Sequence, residues 1–385
     1  MTGTSRFARL SSYLAQDPGN PSLLQDAFAA ACAESLWDEA QALVQSARTH
    51  GLDAQQWALN NAHLLMAQQQ WPEATVAIQA LQRDPQLGPQ AQLTLATDLA
   101  QIQLRQGQIE EGIASLEPFV NALAATDALD SSTEETWARL LHRAGDLDRV
   151  MGWGREREQA RTLTAGGAGV MSLAAVDASQ FAEAQRWSAL ALAAQPMQLE
   201  AGLTRATLAL ADADQPRQAL QLSEHLAQGR SHDGRVWSTL AMAKLLNQDL
   251  PGARQAFEQA TTLMPTHIGT WHGLAWTALL QGDTAFAEAT FEHALQMDRN
   301  FAESHGGLAV IWATTGRREE AQQSVRRALG LDPSSATAHY AQLLLDEPVV
   351  DGAKLRGLAE RLFGDQAGPS GRSLVSVLAR IGGRG

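Results

Sequence analysis

The chain has 385 residues, 45% of them apolar, 18% charged and 5% aromatic, which is enough for two ordinary domains or one long repeat array. With 42 acidic side chains against 29 basic ones the net charge is −13, which argues against broad attraction to phosphate backbones or anionic lipid. The one cysteine, Cys32, rules out an internal disulfide and a cysteine zinc knuckle.

In chain order, residues 1–20 show no apolar signal-peptide core, and no uninterrupted apolar run of about 18 residues follows. A cytoplasmic protein without membrane insertion is expected. From there one short pattern keeps returning: LWDEA ending at Ala40, QWPEA at Ala74, QIEEG at Gly112, DLDRV at Val150, QFAEA at Ala184, QPRQA at Ala219, DLPGA at Ala253, DTAFA at Ala287 and RREEA at Ala321. The intervals are 34, 38, 38, 34, 35, 34, 34 and 34 residues. A recurrence at nearly one period defines a repeat.

Three units read in full register. Trp237, Leu240, Ala253, Phe257, Ala260 and Pro265 are followed by Trp271, Leu274, Ala287, Phe291 and Ala294, with Arg299 in the proline slot, and then by His305, Leu308, Ala321, Val325, Ala328 and Pro333. Within a unit the apolar residues fall at helical spacing, so each half is a helix with one packed stripe. Turn signals at 247–249, 281–283 and 315–316 separate the halves, and Asp17-Pro18, Asp84-Pro85 and Asp332-Pro333 close second helices.

This pattern resembles the tetratricopeptide repeat, a 34-residue helix–turn–helix unit, strongly over 234–334 and more weakly over the rest of 1–345. The resemblance implies an all-α, right-handed superhelical solenoid of about nine repeats. The expected division is degenerate repeats over 1–163, regular repeats over 164–345, and a capping helix with a basic amphipathic tail over 346–385. Both 38-residue intervals flank Gly112, and 121–132, with Ser132 and Glu135 placed as a capping box, reads as a long loop. The glycines at 166, 167 and 169 should weaken the helix that opens the Ala184 unit. They mark either a bend near 162–169 or a degenerate repeat.

No catalytic, cofactor or metal constellation emerges. His267 and His272 are five residues apart with no acid at ligand spacing, and His305 fills a tryptophan slot. Asp212 and Asp214 sit at a turn where Asp caps helices, 166–169 lacks the Lys-Ser/Thr of a phosphate loop, and Cys32 lies on an alanine-rich helix. What remains is a surface. Counting back from each anchor places Leu208, then Arg235, Ser238 and Met242, then His272 and Trp276, then Glu303 and Val310 along a groove formed by first helices. Met242, Trp276 and Val310 would stand side by side, so Trp276→Arg or Met242→Glu should abolish binding and spare the fold. The matching positions earlier in the chain, Gln56, Leu59, His63 and Met66, then Glu135, Arg139 and His142, are more polar.

Relatives that clamp chaperone tails carry Lys, Asn and Arg where this chain has Ser238, Met242, Gly273, Glu303 and Gly307, and the asparagine ladder of sugar-transferring relatives is replaced by Thr239, Gly273 and Gly307. The resemblance therefore implies a non-enzymatic adaptor or chaperone that holds a protein or peptide segment in its groove, with no cofactor and no nucleic acid. The alternative is an accessory subunit of an enzyme or secretion complex, making contact through its convex face or its ends. In the tail, 352–385 carries six basic residues against Glu360 and Asp365. Asp351 to Phe363 reads as a cap for the array, followed by a loop and an apolar stripe at Leu374, Val377, Leu378 and Ile381.

Overall fold

Each of the nine anchors is the fourth residue of a helix, and all nine are buried. The computed structural model describes residues 5–211, 216–229 and 232–346, and among these every regular element is a helix. Helix α1 (Arg6–Leu14) precedes the pairs α2 (Pro21–Ala33) with α3 (Trp37–Thr49), α4 (Ala54–Ala67) with α5 (Trp71–Gln82), α6 (Pro89–Arg105) with α7 (Ile109–Val120), and α8 (Ser131–Ala144) with α9 (Leu147–Ala160). Then come α10 (Ala165–Asp177) with α11 (Phe181–Ala194), α12 (Leu199–Leu210) with α13 (Pro216–Gly229), α14 (Gly234–Leu246) with α15 (Leu250–Leu263), α16 (Ile268–Leu280) with α17 (Thr284–Met297), and α18 (Ala302–Thr314) with α19 (Arg318–Leu331). Helix α20 (Ala336–Asp346) follows the last pair. The chain is thus an all-α solenoid of helix pairs. No helix among the described residues is long and apolar enough to cross a membrane.

Among the described residues the turn inside a pair has one shape. Five residues before the anchor the backbone is left-handed at Ser35, Gln69, Gly107, Gly145, Ser179, Gln248, Gly282 and Gly316. That conformation stops the first helix and turns the chain back. Glycine adopts it freely, whereas other L-residues are held there against a cost of about 1 kcal/mol. Gln248 at φ 64° is therefore strained where Gly282 is not. Gln248→Gly should stabilise the protein by about 0.5–1 kcal/mol, seen as a higher urea midpoint at unchanged slope.

Two further contacts recur at the 34-residue interval. The indole N–H of Trp271 donates to the carbonyl of Pro265 at 2.8 Å, and the imidazole Nε2 of His305 and of His339 bonds the carbonyls of Arg299 and Pro333 at 3.0 and 2.9 Å. A histidine protonated at Nε2 thus does the work of the tryptophan whose slot it fills. In the same register the Phe257 ring lies against Gly273 and the Phe291 ring against Gly307, each so close that a methyl group on the glycine would collide with the ring.

Contacts divide the chain into two compact units, Met1–Thr164 and Ala165–Gly385. The first is built on Leu24, Phe28, Val44 and Trp57, then on Ile78, Leu95, Leu99 and Ile102. Its last pair encloses a polar knot. Glu134 and Arg157, 0% and 1% exposed, form an ion pair at 3.2 Å. Glu134 also accepts from the Trp153 indole at 3.1 Å and from the backbone N–H of Thr164 at 2.7 Å. Arg157 donates to the carbonyls of Ala125 and Asp127 at 3.1 and 2.7 Å, which anchors the loop between α7 and α8. The second unit is built on Leu240, Phe257 and Leu274, then Phe291, Leu308 and Ile311, then Val325, Ala341 and Leu345.

Two local expectations are corrected and a third is met. The cap of α8 is Asp130, accepting from the Thr133 N–H, two residues before the expected Ser132. The loop expected over 121–132 is present between α7 and α8, and the other long interval, before Gly112, comes largely from the 17-residue α6. The glycines at 166, 167 and 169 are buried in the first turns of α10 and do not interrupt it. There Gly169 admits the Gln198 side chain, which any Cβ would displace. The Asp212–Asp214 turn and the capping helix and tail assigned to 346–385 lie outside the described residues, apart from Asp346 at the end of α20.

Candidate functional site

The eight groove positions all fall on first helices: Leu208 on α12, Arg235, Ser238 and Met242 on α14, His272 and Trp276 on α16, Glu303 and Val310 on α18. These four helices lie side by side, each touching the next. Burial then sorts the residues. Met242 is 37% exposed, and one turn further on Leu246 is equally open. Leu280, which corresponds to Leu246 in the next pair, is 62% exposed. Leu246 and Leu280 were missed by the sequence reasoning, which ended the two rows one residue earlier, at Leu245 and Leu279. The signal was present as two leucines 34 residues apart, four beyond Met242 and Trp276.

The rest of the row is occupied with holding the repeats together. Val310 is 3% exposed and packs with Ala321, Val325 and Ala341, so its placement in an open groove is corrected. The cause is the close approach of α20, where Gly306 leaves room for the Thr337 side chain. Trp276 is half-buried, meets the Phe291 ring edge-on at 5.4 Å, and packs against the core clusters on both sides. The expectation that Trp276→Arg spares the fold is therefore also corrected, because the indole is part of the inter-repeat packing. Glu303 accepts from the Thr337 hydroxyl at 2.5 Å. Ser238 and Leu208 are half-buried.

The charged and titratable members are likewise committed. Arg235 is exposed and pairs with Asp177 of α10 at 2.9 Å. His272 bonds the Ser304 hydroxyl at 2.7 Å and lies 5.3 Å from each of the Phe291 and Phe301 rings. Burial pushes its pKa down to about 4 in spite of the Glu303 carboxylate nearby, so the ring is neutral near pH 7. Uncharged, it serves as a hydrogen-bonding link between two first helices.

In the first unit the corresponding row is polar. The Gln56 amide donates to Asn60 at 3.2 Å, and Asn60 donates to Gln25 on α2 at 2.9 Å. His63 on α4 meets Asp98 on α6 at 2.9 Å, and that hydrogen bond raises its pKa. Arg139 pairs with Glu135 one turn away at 3.0 Å. Leu59 and Met66 are half-buried against the core. Among the described residues no group of three or more His, Cys, Asp or Glu side chains is arranged to hold a metal ion.

The tetratricopeptide repeat family model matches residues 278–345. Helix pairs recur along the described residues ahead of that match at nearly the same interval. Such arrays are scaffolds for protein–protein interaction. No curated protein matches the chain. Among solved structures it is similar to MamA, at 17% identity and TM-score 0.36, over 44% of this chain and 95% of that one. It is also similar to the APC/C hetero-tetramer Cut9–Hcn1, at 12% identity and TM-score 0.47, over 92% of this chain and 78% of that one. At these identities the likeness is one of fold.

Proposed function

We propose that the protein is a non-enzymatic cytoplasmic adaptor or chaperone that holds a protein or peptide segment along the first helices of its second unit. The observation that supports this most is the open apolar trio Met242, Leu246 and Leu280, carried at matched positions of neighbouring pairs. Neighbouring packed helices are about 8–10 Å apart, and Met242 and Leu246 are separated by about 6 Å of helix axis. An amphipathic helix that presents apolar residues at i, i+4 and i+7 covers both distances, with burial worth about 25 cal/mol per Å2 of apolar surface. The groups that would set polarity at the rim, Arg235 and His272, are fixed by Asp177 and Ser304.

The test uses Met242→Glu combined with Leu280→Glu, both at exposed positions where a carboxylate stays solvated. Retrieval of partners from native extract should be lost while the melting temperature shifts by no more than about 2 °C. Retrieval that persists would move the contacts to the opposite face or to the ends of the array, as an accessory subunit would make them.

A further inference from the structure

A second kind of opening exists in the first unit. Where α18 and α20 pack closely, small residues face each other, whereas α2 and α4, and α4 and α6, barely touch. Long amide and imidazole side chains bridge these gaps, as in Asn60 to Gln25 and His63 to Asp98. Two cavities are left. One, of about 420 Å3, lies between α4 and α6 and is walled by Leu59, Leu81, Leu87 and Leu95, with the exposed Thr94 at its side. The other, of about 700 Å3, is more open and lies between α2 and α4, bordered by Trp57, Gln25 and Asp26. Asp53, the N-cap of α4, and Gln56, in its first turn, belong to both.

Volumes of this size suit ligand groups, and their side-by-side placement across one helix turn suits an elongated ligand. The amide relay consumes the Gln56 N–H, both ends of Asn60 and the Gln25 oxygen. Gln56 keeps an acceptor and Gln25 keeps a donor, the pair of partners that an extended backbone needs. Neither wall contains a basic residue. Asp53 spends only its Oδ1 on capping α4, and Asp26 has Arg6 no nearer than 3.7 Å, with both side chains exposed. The unit as a whole carries 20 acidic against 11 basic side chains over residues 1–164.

We propose that the first unit is a binding site for an extended cationic peptide, which crosses the first turn of α4 with one apolar side chain in each inter-helix cavity and its lysines or arginines beside Asp26 and Asp53. The cavities are about one inter-helix spacing apart, which matches three residues, one full turn, of a chain extended in the polyproline II conformation, so the two apolar side chains that share a face are at i and i+3.

The probe is fluorescein-labelled Lys-Lys-Leu-Ser-Ser-Leu-Lys-Lys, added to the full chain and followed by fluorescence anisotropy. It should bind, and replacing its lysines by glutamates or its leucines by serines should each weaken binding by about tenfold or more. Thr94→Trp, which fills the leucine-walled cavity from an exposed position without altering charge, should weaken the lysine peptide to a similar degree. Asp26→Asn with Asp53→Asn, which keeps a capping side chain on α4, should weaken it and flatten its salt dependence. The Met242→Glu, Leu280→Glu variant should bind it as the unaltered chain does, which separates this site from the one in the second unit. Absence of binding, equal binding of the glutamate peptide, or indifference to Thr94→Trp would each overturn the proposal.

Discussion

Arg157→Ala should destabilise the first unit by about 3–5 kcal/mol, the range for breaking a buried ion pair by removing one partner. The substitution leaves the Glu134 carboxylate in a site with no exposure, and it also strips the Asp127 carbonyl of the guanidinium and leaves that of Ala125 with the Thr162 hydroxyl alone. Glu134→Leu should cost a similar amount, because it leaves the guanidinium, the Trp153 indole and the Thr164 N–H without their common acceptor. The informative quantity is the coupling. With both changes, Glu134→Leu and Arg157→Met, no buried charge survives, and the loss should fall well short of the sum of the two single losses. Urea titrations of the three variants measure this, and additive losses would show that the two side chains act independently.

Phe291→Ala should cost about 3–5 kcal/mol in the second unit through the cavity left beside Gly307. Gly307→Ala attacks the same contact from the other side and should cost about 1–3 kcal/mol, because the ring has to move out of the space the methyl takes. Combining Gly307→Ala with Phe291→Leu should recover part of that loss, since a smaller side chain vacates the room the methyl needs. Calorimetry on the set decides the point, and no recovery in the pair would mean that the backbone, and not the ring, gives way. Each helix pair leans on its neighbours, so these losses should appear first in the hydrogen exchange of α16 to α19.

Repeat, helix pairing and turn position were legible in the sequence because each rests on local chemistry that recurs: a small residue where two helices meet, a ring that needs a carbonyl, a residue that tolerates a left-handed backbone. The anchors Ala40 to Ala321 needed no tertiary information to be placed. Groove exposure was less legible, since it depends on how closely a neighbouring first helix approaches. Val310 and Met242 occupy equivalent positions, yet only Val310 is covered, because Gly306 and Thr337 draw α20 in. The Glu134–Arg157 pair could not be read at all: its members are 23 residues apart, and nothing local distinguishes them from the solvated charges around them. The same holds for the cavities beside α4, which exist because two pairs of first helices fail to close.

From α14 to α20 the left-handed turn, the buried anchor, the ring N–H bonded to the carbonyl six residues earlier and the phenyl ring against a glycine return at one interval. The contact rules therefore look the same from any point of one pair as from the matching point of the next. A crossover between the coding segments of two neighbouring pairs, wherever it falls, deletes or duplicates one whole pair in frame and leaves these relations intact. The length of this part of the array is a quantity that inheritance can change in single steps, without passing through an unfolded intermediate sequence.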